Sequence, residues 1–449
     1  MSSENSSSEK LNWVEKQFRM KELGTNVKKE TLAGITTFVS MAYILFVNPS
    51  VLGASGMEKG AVFTATALSA ILGCLLMAFL ANYPIAIAPG LGDNAFFTYS
   101  VVLAMGIKWQ TALAGVVVAS IIFTILTFFK IREIVINAIP HNLKLAMAAG
   151  IGMFIAFIGL QGGGLVVASK SSLVQLGSLT VPTTWLTIFG LFVTALLMAR
   201  KVPGSIFIGI VATAILGLVT GLIKAPSQIV SSIPSMKPTF AVGIKHLGDV
   251  NTPQMWAVVL IFLLVAFFDT AGTLIGLAQQ AGLMKNDKMP RIGQALMADS
   301  VSMLAGSVMG TTPTAAYVES SAGIAVGGRT GFTALVVAVL FGFGMFFSPL
   351  LSVVTTQVTA PALIIVGALM AQSLKEIEWD KFEIALPAFL TVIAMPLTYN
   401  ISYGFAFAFL IYPITMIAAG RKKELNPVVI ALFFVFIVML YVLNVLPSK

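Results

Sequence analysis

Charge is what this sequence has least of. Only 10% of its 449 residues are Asp, Glu, Lys or Arg, against 57% hydrophobic. Soluble proteins carry about 25% charge, so this chain has too little to coat a water-soluble surface. Cysteine and histidine are nearly absent. Cys74 stands alone, which excludes an intramolecular disulfide and a cysteine metal cluster. His141 and His246 are the only histidines, too few for a histidine-rich metal site. No Gly-x-x-x-x-Gly-Lys-Ser/Thr loop is present, so ATP-driven pumping is not expected. The His-Glu-x-x-His and Gly-x-Ser-x-Gly motifs of common hydrolases are also missing. Neither metal nor cofactor is expected, and the chain does not read as an enzyme. The polar start, Met1 to Ser8, leads into no short apolar core with a small-residue cleavage site, so it does not read as a signal peptide.

Long apolar runs take the place of charge. At roughly 20 residues per crossing, they fall near 31–54, 61–81, 84–105, 110–130, 142–163, 182–200 and 203–223. A second set falls near 254–283, 291–309, 311–327, 330–352, 358–374, 382–398 and 402–419, with one further run at 425–446. The chain therefore reads as an all-α polytopic membrane protein embedded in a lipid bilayer. Its net charge of +9 gathers in short clusters between apolar runs, a pattern of cytoplasmic loops rather than of a nucleic-acid surface. Placing residues 1–30 in the cytoplasm puts Lys130 with Arg132, Arg200 with Lys201, Lys285 to Arg291, Arg329, Lys375 with Lys381, and Arg421 to Lys423 on the same side. Only the second span ends without a basic cluster. Leu11 to Leu23 reads equally as a surface helix or a basic tail.

Seven spans per half put the second half, 254–446, into the membrane from the opposite side to the first, 31–223. That is an inverted repeat. The third span opens Pro84-Ile-Ala-Ile-Ala-Pro-Gly-Leu-Gly-Asp-Asn, and the tenth opens Gly310-Thr-Thr-Pro-Thr-Ala-Ala-Tyr-Val-Glu. Each has an extended start and a Pro or Gly break, with Pro89 and Pro313 one half-chain apart. Matched broken spans mark midplane substrate sites in transporters, although single breaks are ordinary kinks.

Four carboxylates lie inside apolar runs: Asp93, Asp269, Asp299 and Glu319. An ionisable group at that depth is a functional candidate by default, with helix capping or helix–helix bonding as the bland alternative. No intramembrane Lys or Arg stands near them in sequence. Asp269 and Thr273 share one helix face, beside small Ala271, Gly272 and Gly276. Glu319 follows the tenth-span break, at the start of a half-helix. Asp299 reads mainly as structural. Asn94 offers a donor and an acceptor, Phe96 and Phe97 flat faces, and Thr314 with Ala315 the tenth-span backbone. Such a site suits a neutral hydrogen-bonding ligand better than an anion.

At these residues the chain resembles a known family, the azaguanine-resistance-like branch of the nucleobase–cation symporters, its guanine/hypoxanthine permease group. The resemblance rests on Gly34-Ile-Thr-Thr-Phe-Val-Ser-Met-Ala-Tyr-Ile-Leu-Phe-Val-Asn-Pro49, on 84–97, on Ile136 to Pro140, Gly150 to Gly152 and Phe157 to Gln161, on Phe268 to Gly276, and on 319–331. It implies a uracil-permease-like fold of 14 spans in a 7+7 inverted repeat. A core domain, about 31–130 plus 254–352, would hold the site between spans 3 and 10. A gate domain, about 131–223 plus 353–446, would move against it. It also implies proton-coupled uptake of a purine base, with Asp269 and Glu319 on the base and in proton coupling. Thr273 takes the place of a proton-linked histidine in the uracil-type branch. Asp93 departs from the family's usual apolar residue, so its part in coupling stays open. So do the choice among guanine, hypoxanthine, adenine and xanthine, and a homodimer through the gate domain. An anion carrier of the same architecture and a membrane-embedded enzyme are the competing readings.

Overall fold

The computed structural model describes residues 13–132, 138–284 and 289–444. Many helix starts are written in the local sequence. Asn26 accepts from the Lys29 amide at the head of α1, Val27–Met41. The chain jogs at Ala42 and Tyr43 into α2, Ile44–Gly53. The Glu58 carboxylate accepts from the Gly60 and Ala61 amides at the head of α3, Lys59–Leu76. Side-chain oxygens at these positions satisfy amides that the first helical turn leaves unpaired.

A π-helical turn, Met77–Ala81, ends α3. The third apolar run then opens as a strand, β1, Ile87–Pro89, continues as the short α4, Leu91–Ala95, and widens into π-helix over Phe96–Ala104. α5, Trp109–Phe128, closes the first group of helices. Next come α6, His141–Gly162, a hairpin of β2, Val166–Ser169, and β3, Leu173–Leu176, then α7, Pro182–Ala199, and α8, Ser205–Val219. The hairpin lies in a stretch that sequence patterning leaves as a loop.

The second half follows a similar plan around a single strand, without a counterpart of the β2–β3 hairpin among the described residues. α9, Pro253–Gln280, is capped by Thr252. α10, Ile292–Met309, ends at Gly310, whose φ of +99° suits a residue without a side chain. The chain then becomes extended as β4, Thr314–Ala316, followed by the six-residue α11, Ser320–Ala325. α12, Gly331–Gly344, α13, Thr356–Met370, α14, Phe382–Leu397, and α15, Ile401–Ala418, follow. The leftover apolar run is a helix too, α16, Pro427–Asn444, packed on α15 and α9.

Among the described residues, eight helical segments are long and apolar enough to cross a membrane, and four shorter apolar helices join them. α10 falls outside both sets because Asp299, Ser300, Ser302 and Ser307 lower its hydropathy. All four are buried inside the protein. The outer surface is the reverse. Phe128, Phe192, Phe343, Phe389 and Ile414 are exposed, as only a lipid-facing surface tolerates. The chain is a multi-pass membrane protein.

Helices pack in two sets. α1 lies on α12, α3 on α10 and α12, and α5 on α10. In the other set α6 lies on α13 and α14, α14 on α15, and α7 on α8 and α13. Small residues bring backbones close, as in other membrane bundles: a side chain at Gly152 would meet Gly367 O at 2.8 Å. Of the Leu11 to Leu23 stretch, residues 13–23 are described, and they are packed against the helices rather than free. Phe18 is buried against Phe79 and Phe332, and its carbonyl accepts from Asn82 Nδ2 at 3.0 Å.

Candidate functional site

The two broken segments meet as strands. β1 and β4 pair antiparallel, with Ile87 opposite Ala316, Ala88 opposite Ala315, and Pro89 opposite Thr314. The ladder extends at both ends, where Gly90 N–H donates to Pro313 O at 2.9 Å and Tyr317 N–H to Ala86 O at 3.0 Å. In lipid every backbone group needs a partner, so each extended segment supplies what the other lacks. α3 makes room for the crossing: a side chain at Gly73 would lie 2.7 Å from Ile87 Cγ2 and 2.6 Å from Ser302 Oγ.

At opposite ends of this crossing the chains turn into short helices, α4 after Pro89 and α11 after Ala316, and polar side chains gather at each end. Asn94, fully buried on α4, accepts through Oδ1 from the Thr312 hydroxyl. Its amide nitrogen is buried without a hydrogen-bond partner among the described residues, as are the hydroxyls of Thr98 and Thr314. Orphaned buried polar atoms each cost about 1–3 kcal/mol and need a reason. Two of them, on Asn94 and Thr314, lie at the Pro89–Thr314 end of the strand crossing and mark a place where polar partners are wanted. The Tyr317 hydroxyl donates to Pro89 O at 2.5 Å and locks the crossing.

Glu319 stands at the residue before α11 but makes no side-chain cap to that helix. Its Oε1 accepts instead from the Tyr43 hydroxyl at 2.5 Å. Asp93 is fully buried on α4. Phe96 and Phe97 are fully buried as well. They pack on Phe262 of α9, with centroids 4.9 and 6.5 Å away. Ala315 is buried in β4. Thr273 is half-buried on α9. Asp269 lies on that helix four residues earlier, but its side chain is outside the described residues.

One sequence expectation is corrected. Asp299 does have a basic partner, and the partner is Arg132, assigned above to a cytoplasmic loop. Arg132 is fully buried and its Nη2 lies 3.1 Å from Asp299 Oδ2. The two are far apart in the chain, which is why sequence proximity missed them. Tyr43, Thr312 and Asn48 were missed too. All three carry ordinary hydroxyl or amide groups. Tyr43 and Asn48 do lie in the 34–49 motif, whose polar residues within an apolar run were the available signal.

Two cavities lie elsewhere. One of about 560 Å³ is lined by Gln161, Gln175, Thr184 and Gln357, beside the β2–β3 hairpin. One of about 70 Å³ lies between Ser50 and Tyr99 on one side and Ile158 and Thr359 on the other.

Helices packed around two crossed, half-extended segments are an architecture found in membrane transporters. The chain belongs to the Permease family, whose model matches residues 28–407. It is 54% identical to the guanine/hypoxanthine permease PbuG of Bacillus subtilis, over 94% of this chain and 98% of that one. It is 41% identical to the adenine permease AdeQ of Escherichia coli, over 93% and 94%. The fold also resembles the transmembrane domain of a cyanobacterial bicarbonate transporter, BicA, with a TM-score of 0.61 at 16% identity, covering 88% of this chain and 97% of that one. At that identity the likeness shows the fold and says nothing of the cargo. The chain is a permease, not an enzyme.

Proposed function

We propose that this permease takes up purine bases, guanine or hypoxanthine first, across the cytoplasmic membrane, driven by protons. The observation that carries the reading is the β1–β4 crossing, with the Asn94 amide nitrogen and the Thr314 hydroxyl buried and without partners among the described residues at one end and Glu319 just past the other. A planar base presents donors and acceptors along its edges and no charge, which matches this mixture better than an anion does. Guanine/hypoxanthine and adenine permeases among the relatives support the substrate class.

In this reading Asn94, Thr314, Ala315 and Glu319 take one part of the ring and Asp269 with Thr273 another, while Phe96 and Phe97 back the site. Asp269 carries the coupled proton, with Glu319 and Asp93 as further candidates. The α1–α5 and α9–α12 set acts as the core. The α6–α8 and α13–α16 set acts as the gate. The N-terminus is cytoplasmic, and two copies pair through the gate.

The test is competition. Uptake of labelled hypoxanthine into cells carrying the protein is measured against excess guanine, adenine, xanthine, uracil and bicarbonate. Guanine should compete strongly, and uracil and bicarbonate weakly. Competition by bicarbonate with none by any purine would overturn the reading.

A further inference from the structure

The 34–49 motif is absorbed by neither the strand crossing nor the carboxylates, yet it lies against both. Its two helices, α1 and α2, are separated by the jog at Ala42 and Tyr43. The jog turns the Tyr43 ring inward, where it is 1% exposed, and its hydroxyl donates to Glu319 Oε1 at 2.5 Å. Five residues on, fully buried Asn48 donates through Nδ2 to Thr66 Oγ1 at 2.7 Å and to Thr311 Oγ1 at 3.0 Å. Thr311 adjoins Thr312, the donor to Asn94. The first span therefore holds the tenth-span segment at both ends, through Asn48 before β4 and through Tyr43 after it.

α11 has only six residues and Glu319 does not cap it. A glutamate has three side-chain torsions, and no cap hydrogen bond to α11 fixes them here. From this geometry we infer that Tyr43 is a positioning residue: its hydroxyl orients the Glu319 carboxylate for the base. This rests on the reading of Glu319 as a base-binding group. A bond from a neutral hydroxyl to a carboxylate is among the stronger side-chain hydrogen bonds. Preorganisation of this kind lowers what binding must spend on ordering the group.

The test uses the full-length protein in proteoliposomes, with labelled hypoxanthine as the probe. Tyr43→Phe keeps the buried ring and removes only the hydroxyl, and its melting temperature is compared with the wild type as a check on folding. The expected result is an equilibrium Kd and an uptake KM raised by about tenfold, with the maximal rate within about twofold, in line with loss of one charge-assisted bond. In a Glu319→Gln background, where the charge is already gone, Tyr43→Phe should add less than about threefold. Wild-type affinity in Tyr43→Phe, or the same tenfold cost in both backgrounds, would overturn the role of Tyr43 alone. Wild-type affinity in Glu319→Gln would overturn the site reading itself, and this proposal with it.

Discussion

Arg132 and Asp299 form an ion pair across 3.1 Å in which neither side chain reaches solvent. Arg132 also lies over the Phe123 ring, 4.2 Å from its centroid, and donates to Leu296 O at 3.4 Å. The pair ties the chain just beyond α5 to α10, where it leaves one helix set for the other. Arg132 Nε and Asp299 Oδ1 have no hydrogen-bond partner among the described residues. The pair is thus closely placed but incompletely satisfied.

Removing one partner should be costly. Arg132→Ala leaves a buried carboxylate alone, a loss of about 3–5 kcal/mol. A clear drop in melting temperature of the detergent-purified protein is expected. The double variant Arg132→Leu with Asp299→Leu should recover most of it, because two well-packed apolar groups replace a buried pair at little cost. An unchanged melting temperature in Arg132→Ala would show that the pair does not matter to stability.

Asp269→Asn tests the eighth-span carboxylate. A carboxylate bond to a neutral base contributes about 1.5–3 kcal/mol, so binding should weaken by roughly tenfold or more. Membrane insertion should be intact. Binding isotherms on purified protein decide it, and wild-type affinity would remove Asp269 from the site.

Glu319→Gln separates base binding from proton coupling. Gln keeps the shape and some hydrogen bonding but cannot ionise. If Glu319 binds only the base, affinity falls while uptake still responds to pH. Net uptake beside counterflow exchange in proteoliposomes makes the distinction. Loss of accumulation with exchange intact would assign the coupled proton to Glu319 instead of Asp269.

Proton coupling makes a prediction for the whole protein. Uptake should rise as external pH falls below neutral, collapse with a protonophore and ignore sodium. Sodium-dependent uptake at a fixed proton gradient would identify a different coupling ion.

The membrane class was legible from composition alone. With 10% charge and 57% hydrophobic residues, no water-soluble surface was available to this chain. The two broken segments were legible as well, because Pro89 and Pro313 stand near glycines at matched places in the two halves. The positions of Glu319 and Asn94 beside those breaks were legible too, and their roles are proposed. Local signals of this kind act within a few residues, and one sequence displays them fully.

Long-range pairing was decided only by the tertiary structure. Which strand satisfies Ile87 to Pro89, which hydroxyl meets Glu319 and which cation neutralises Asp299 depend on residues far away in the chain. Thr314 to Ala316, Tyr43 and Arg132 are the respective answers. Arg132 shows the reason most clearly. Beside Lys130 in sequence it is one basic residue in a cluster after a span. Only the packing of α5 on α10 removes it from water, and a guanidinium out of water must find a carboxylate.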